Sequence, residues 1–110
     1  MSDEQIDKTK SAVEAADHIP AAKKAELLDA LSKIKPGIAR VSQMHAGHAQ
    51  TIARLVEHSA REAARKEKRP EHLQKLLQEL KQSVERFEAS HPELAASVAE
   101  FSTVLSALGI

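Results

Sequence analysis

Leu27-Leu28-Asp29-Ala30-Leu31-Ser32-Lys33-Ile34-Lys35-Pro36-Gly37-Ile38-Ala39-Arg40-Val41 is the stretch on which the fold of this chain turns. Its larger apolar residues, Leu27, Leu31, Ile34, Ile38 and Val41, follow one another at alternating spacings of four and three, the signature of one helix face. Pro36-Gly37 interrupts that face with the two residues that most weaken a helix. Proline lacks the backbone N–H, and glycine loses the most freedom on being ordered. A loop there would normally reset the phase, yet the phase holds. Retained phase favours a kinked but continuous helix, with a clean break at 36–37 as the alternative.

Further along, His45, His48, Ile52 and Leu55 continue the same seam, giving a first long arm over about 20–66. Arg65-Lys66-Glu67-Lys68-Arg69-Pro70 has no apolar residue and ends in a proline suited to a helix start, so a turn is expected at about 66–70. A second seam follows: Leu73, Leu77, Leu80, Val84, Phe87, His91, Leu94, Val98, Phe101, Leu105 and Leu108. It defines a second arm over about 70–108. Ser90-His91-Pro92-Glu93 falls inside it and permits either a kink or a capped restart at 90–92. Each seam spans about 45–54 Å as helix. Folding about position 68 pairs residues whose numbers sum to about 136.

Towards the N-terminus, Ser2 and Gln5 form a possible capping box, placing a short helix over about 3–17 that ends at Asp17-His18-Ile19-Pro20. The expectation is an all-α single domain: a long, coiled-coil-like antiparallel hairpin with the short helix packed on its base, able to dimerise into a bundle. A compact four- or five-helix bundle broken at Pro36 and Pro92 is the alternative.

Composition supports the class. Phe87 and Phe101 are the whole aromatic content, and three glycines and four prolines leave too few turns for a β fold. Charge is balanced at 16 basic and 16 acidic residues, without the positive excess usual in nucleic-acid proteins. With no cysteine there is no disulfide or thiolate metal chemistry. The acidic start and the lack of any apolar run near 20 residues point to a cytoplasmic protein without a membrane segment.

Val84-Glu85-Arg86-Phe87-Glu88-Ala89-Ser90-His91-Pro92-Glu93-Leu94, followed by Leu105-Ser106-Ala107-Leu108-Gly109-Ile110, resembles a family of short bacterial proteins catalogued as a domain of unknown function. Its members carry a Phe-Glu-x-x-His-Pro-x-Leu stretch and a Gly-Ile tail. The resemblance covers positions 71–110, is weak over 1–34, and leaves 37–66 looking like added sequence. It implies a bacterial, cytoplasmic helical protein and brings no activity, cofactor or catalytic residue.

Three sets of residues are candidates for function. His45 and His48 occupy seam positions where Leu or Ile is expected, and the hairpin register sets His45 opposite His91 and His48 opposite Phe87-Glu88. Three imidazoles and the Glu88 carboxylate in one layer could bind a metal or respond to pH, or could simply fix helix register. Arg61, Arg65, Lys66, Lys68, Arg69 and Lys75 gather at the turn, so a hairpin would have a basic tip and an acidic base. Leu94, Val98, Phe101, Leu105 and Leu108 are the third set: in a lone hairpin they would be left for a partner to cover. No phosphate loop, activated nucleophile or enclosed acid–base pair can be read, so no cofactor or small-molecule substrate is implied. The expected role is a non-enzymatic interaction protein that binds itself or another protein. A nucleic-acid accessory acting through the tip, and a metal or pH sensor, are the alternatives.

Overall fold

The computed structural model describes residues 2–109, and the side chains of 4–108. Among them are five helices and no strand: α1 (Ser2–Ala15), α2 (Ala21–Met44), α3 (Ala46–Ala63), α4 (Pro70–Glu85) and α5 (Pro92–Gly109). The Ser2 side chain expected to cap α1 lies outside the described ones.

The all-α expectation holds, but the extended hairpin does not. The molecule measures 38 × 25 × 19 Å, shorter than either arm would be if straight. The hairpin is folded in half. Its helix pairs survive, α2 against α5 and α3 against α4. Their register is close to the expected one: Lys33 meets Glu100, Arg40 meets Glu93 and Arg86 meets His48, numbers that sum to 133 or 134. The halves then lie side by side, α2 beside α3 and α4 beside α5, so four helices run up and down around one core.

The corner on the first arm is at His45, not at Pro36. Pro36 lies inside α2, which continues unbroken through it. Pro36 and Ser32 are both exposed, so the Ser32 carbonyl that loses its donor faces water. Gly37 is buried against α5, where a Cβ would come within 3.0 Å of the Leu94 side chain and 3.2 Å of its Cα. The glycine that looks like a breaker is what lets the two helices touch. His45 instead leaves the helical region (φ −138°, ψ 66°) while its N–H donates to the Val41 carbonyl and its own carbonyl accepts from Ala49. One residue therefore ends α2 and starts α3. On the second arm, residues 86–91 form a tight turn and α5 begins at Pro92, where the fixed φ of proline suits a first helical turn.

α1 lies across α2 and α3, burying Ile6, Thr9 and Val13. Gln5 donates to Glu57 and Lys35 pairs with Asp7 at 2.9 Å. The core is aliphatic, with Phe101 its largest fully buried side chain. Among the described residues no helix is long and apolar enough to cross a membrane.

Candidate functional site

Four helices packed in a ring leave four surface grooves, and this bundle treats each differently. α1 fills the α2–α3 groove. The α2–α5 groove is closed by the Gly37–Leu94 approach and bridged by exposed ion pairs, Lys33–Glu100 at 2.9 Å and Arg40–Glu93 at 2.6 Å. Glu93 also sits in the first turn of α5, where its own backbone N–H and then the Arg40 guanidinium hold its carboxyl below the ordinary glutamate range. The two remaining grooves are open.

Between α4 and α5 runs a groove of about 730 Å³ whose floor is Leu77, Val84 and Val98, with Ala95 and Ala99 on the α5 side. Lys81, Glu85 and Glu88 form its α4 rim. From Pro92 to Gly109 the only charged residues on α5 are Glu93 and Glu100, so its outer face is built of Ala, Ser and Thr.

The α3–α4 groove has the opposite character. Three contiguous hollows run along it, the first two sharing Thr51, Ser83 and Arg86, the second and third sharing His58. Five of the six arginines of the chain line them: Arg54, Arg61, Arg65, Arg69 and Arg86. No lysine does. At its end near the α3–α4 turn, the nearly inaccessible Glu62 carboxylate accepts from Arg69 Nε at 2.9 Å and Arg69 Nη2 at 2.6 Å. His72 Nδ1 lies 2.8 Å away and Arg65 Nε 3.4 Å. The bidentate Arg69 bond is the largest influence on this carboxyl and holds it below the ordinary glutamate range, against the upward push of burial.

The candidates from the sequence are redistributed by this geometry. Leu94, Val98, Phe101 and Leu105 are buried in the core and Leu108 is half-buried. They are not a free surface, because folding the hairpin in half and adding α1 supplies the cover that a lone hairpin lacks. Only Val98 among them reaches an open groove. The basic tip does not project from the molecule either. It is folded back beside the α1–α2 junction and the end of α5, where Lys66 and Lys68 line a hollow with His18, Lys23 and Leu108. Lys68 Nζ caps α3 by donating to the Ala63 carbonyl at 2.5 Å, and the His18 ring bonds the Ala64 carbonyl. Arg61 and Arg69 belong instead to the α3–α4 groove, and Arg65 lines both hollows; Lys75 is exposed on α4.

The three histidines do converge. His45 stacks on His48 at 5.7 Å, and His45, His48 and His91 each lie 5.6–6.2 Å from the Phe87 ring. They are packed around an aromatic plug at the corner of the fold, with Arg86 Nη1 3.2 Å from His48 Nδ1. Glu88 is not with them; it lines the α4–α5 groove. Among the described residues no three His, Asp or Glu side chains are disposed to hold a metal, so the metal layer is not formed. Ring packing on Phe87 turns the imidazoles to an apolar surface in place of a common point.

Sequence reading missed Glu62 as a buried anchor and missed the arginine alignment. Glu62, Arg65 and Arg69 at spacings of three and four, flanking a turn that His72 follows, were the available signal.

A family model described as a domain of unknown function, DUF4404, matches residues 50–110. That span holds α3 from its second turn and the whole of α4 and α5, and therefore both open grooves apart from His48. It also takes in residues 50–66, which had looked like added sequence. No curated protein and no solved structure matches the chain.

Proposed function

This chain belongs to the DUF4404 family of unknown function, and from its geometry we propose a non-enzymatic helical interaction protein that self-associates through α4 and α5. The observation that carries the proposal is the open groove of about 730 Å³ floored by Leu77, Val84 and Val98. It is the counterpart, on the other side of the bundle, of the groove that α1 fills. A helix with almost no charge on any face is normally covered, and α5 has just two acidic residues and no basic one.

A second copy suits this face because its rim is self-complementary. An antiparallel two-fold centred near Ser83–Val84 sets Lys81 of one copy against Glu85 of the other, and Gln78 against Glu88, as an isologous interface requires. The small side chains of Ala95, Ala99 and Ser102 let the second copy approach closely.

Sedimentation equilibrium from 1 to several hundred micromolar tests this. A monomer–dimer equilibrium is expected, together with loss of the dimer at unchanged helicity in Ala99→Glu, which sets a carboxylate on the groove wall. A wild-type protein that stays monomeric throughout would remove the self-association reading.

A further inference from the structure

The α3–α4 groove is not used by the proposal above, and it concentrates charge in a chain that has none overall. Five arginines line it against two acids, Glu62 and Glu79, leaving three positive charges there, and the rest of the molecule is negative by the same amount. The choice of arginine is informative, since lysine outnumbers arginine ten to six in the chain yet is absent from the lining. Guanidinium groups present forked donors matched to phosphate and carboxylate oxygens, whereas ammonium groups act as point charges.

The arginines are not equally committed. Arg65 and Arg69 are held by Glu62, and Arg61 lies 3.2 Å from Glu57. Arg54 is exposed and, among the described residues, has no side-chain partner; Arg86 touches only the His48 ring. Gln82 and Ser83 stand between these two as neutral donors, and the Thr51 hydroxyl, which donates to the Gly47 carbonyl, can still accept. From His48 to the end of α3 at Ala63 the groove follows the helix for about 23 Å. Arginines spaced along a line, with hydroxyl and amide groups between them, are what contact a chain of phosphates. No Phe, Tyr or Trp lines the groove, and its only rings are the imidazoles of His48, His58 and His72, so the large stacking platforms that splay bases apart are missing.

We propose that the α3–α4 groove binds the sugar–phosphate backbone of a nucleic-acid strand, without base readout, and that Arg54 and Arg86 make the principal contacts. The nucleic-acid surface is thus the flank of a helix pair; it is not the turn that joins them.

The test is fluorescence anisotropy with a labelled 20-nucleotide oligouridylate and the full-length protein. Saturable binding is expected at 50 mM salt. Two phosphate contacts imply about a 7-fold loss of affinity on going to 200 mM salt. Arg54→Glu with Arg86→Glu should weaken binding at least tenfold, and Lys8→Glu with Lys10→Glu, the same charge change on α1, should alter it less than threefold. Should the glutamate variant lose helicity, Arg54→Gln with Arg86→Gln serves in its place, with a loss of at least fivefold expected. No binding at 50 mM salt overturns the proposal. So does an equal loss in the α1 variant, which would make the effect one of diffuse charge. Tighter binding of polyglutamate than of the oligonucleotide would overturn the nucleic-acid assignment in favour of an acidic polypeptide.

Discussion

The two halves of the folded hairpin are antiparallel helix pairs of similar register, yet they are fastened by different means. In the α2–α5 half, Leu27, Leu31, Ile34, Ile38 and Val41 face Leu94, Val98, Phe101 and Leu105, all buried, and Gly37 brings the helices together at Leu94. Its ion pairs are half exposed, and pairs of that kind contribute little. In the α3–α4 half, α3 buries four alanines, at 49, 53, 60 and 63, beside Ile52 and Val56, while α4 buries Leu73, Leu77, Leu80 and Val84. Alanine buries little apolar area per residue. That half is closed at its turn by the Glu62 network and by Lys68 and His18 on the last carbonyls of α3. One half is held by shape, the other by shape plus a polar clamp.

The largest expected effect breaks the shape-held half. Gly37→Val would drive two methyl groups into the space held by Leu94, where even a Cβ is 3.0 Å away. Overpacking of this kind, with a β-branched residue in mid-helix, should cost about 3 kcal/mol, read as a lower midpoint in chemical denaturation. Adding Leu94→Ala should recover part of that loss, because the two positions share one volume. A Gly37→Val protein as stable as wild type would mean that α2 and α5 can separate freely.

The next effect breaks the clamp. Glu62→Gln keeps the size of the side chain and removes the charge that Arg69, Arg65 and His72 surround. Those partners are about half exposed and can rehydrate, so the cost is expected at about 2 kcal/mol, below that of breaking a fully buried pair. The pH dependence has a defined sign. The Glu62 carboxyl is held below its ordinary value in the folded state, so its contribution is complete above the ordinary glutamate range and is lost as pH falls through the depressed folded value. Thermal melts between pH 6 and pH 3 should therefore show a steeper fall for wild type than for Glu62→Gln. Parallel curves would show that the clamp adds no net stability.

The contrast also explains what could be read in advance. Helix class follows from composition and seam spacing, and a helix start near Pro70 from proline placement, which are local; at Pro92 the same signals left a kink and a restart equally open. Register alone sets His45 opposite His91 and His48 opposite Phe87-Glu88; it does not give the packing of all three imidazoles on the Phe87 ring. The fold-back was not legible either, because the seam keeps its heptad phase through His45 and the decision to turn there is tertiary. A helix face that keeps its period can still be cut when both pieces gain cover by packing side by side. For the same reason Leu94, Phe101 and Leu105 looked available. The arginine groove was illegible because its two walls come from helices joined by a turn, and linear clustering weights neighbours such as Lys66 and Lys68 that point elsewhere.

The smallest effect concerns the corner between the halves, and there the two glycines part company. Gly47 lies in the first turn of α3, exposed, with nothing within 4 Å of where a Cβ would stand and no positive φ. Gly47→Ala removes backbone freedom from the unfolded chain and adds helix propensity, so it should stabilise the protein by about 0.5 kcal/mol. Thermal melting should rise by roughly 2 °C, where the same substitution at Gly37 should lower it. The corner geometry resides in His45, whose φ of −138° is open to any residue. A loss of stability in Gly47→Ala would place the corner's freedom at Gly47 instead, and would make the junction between the two halves a hinge that alanine stiffens.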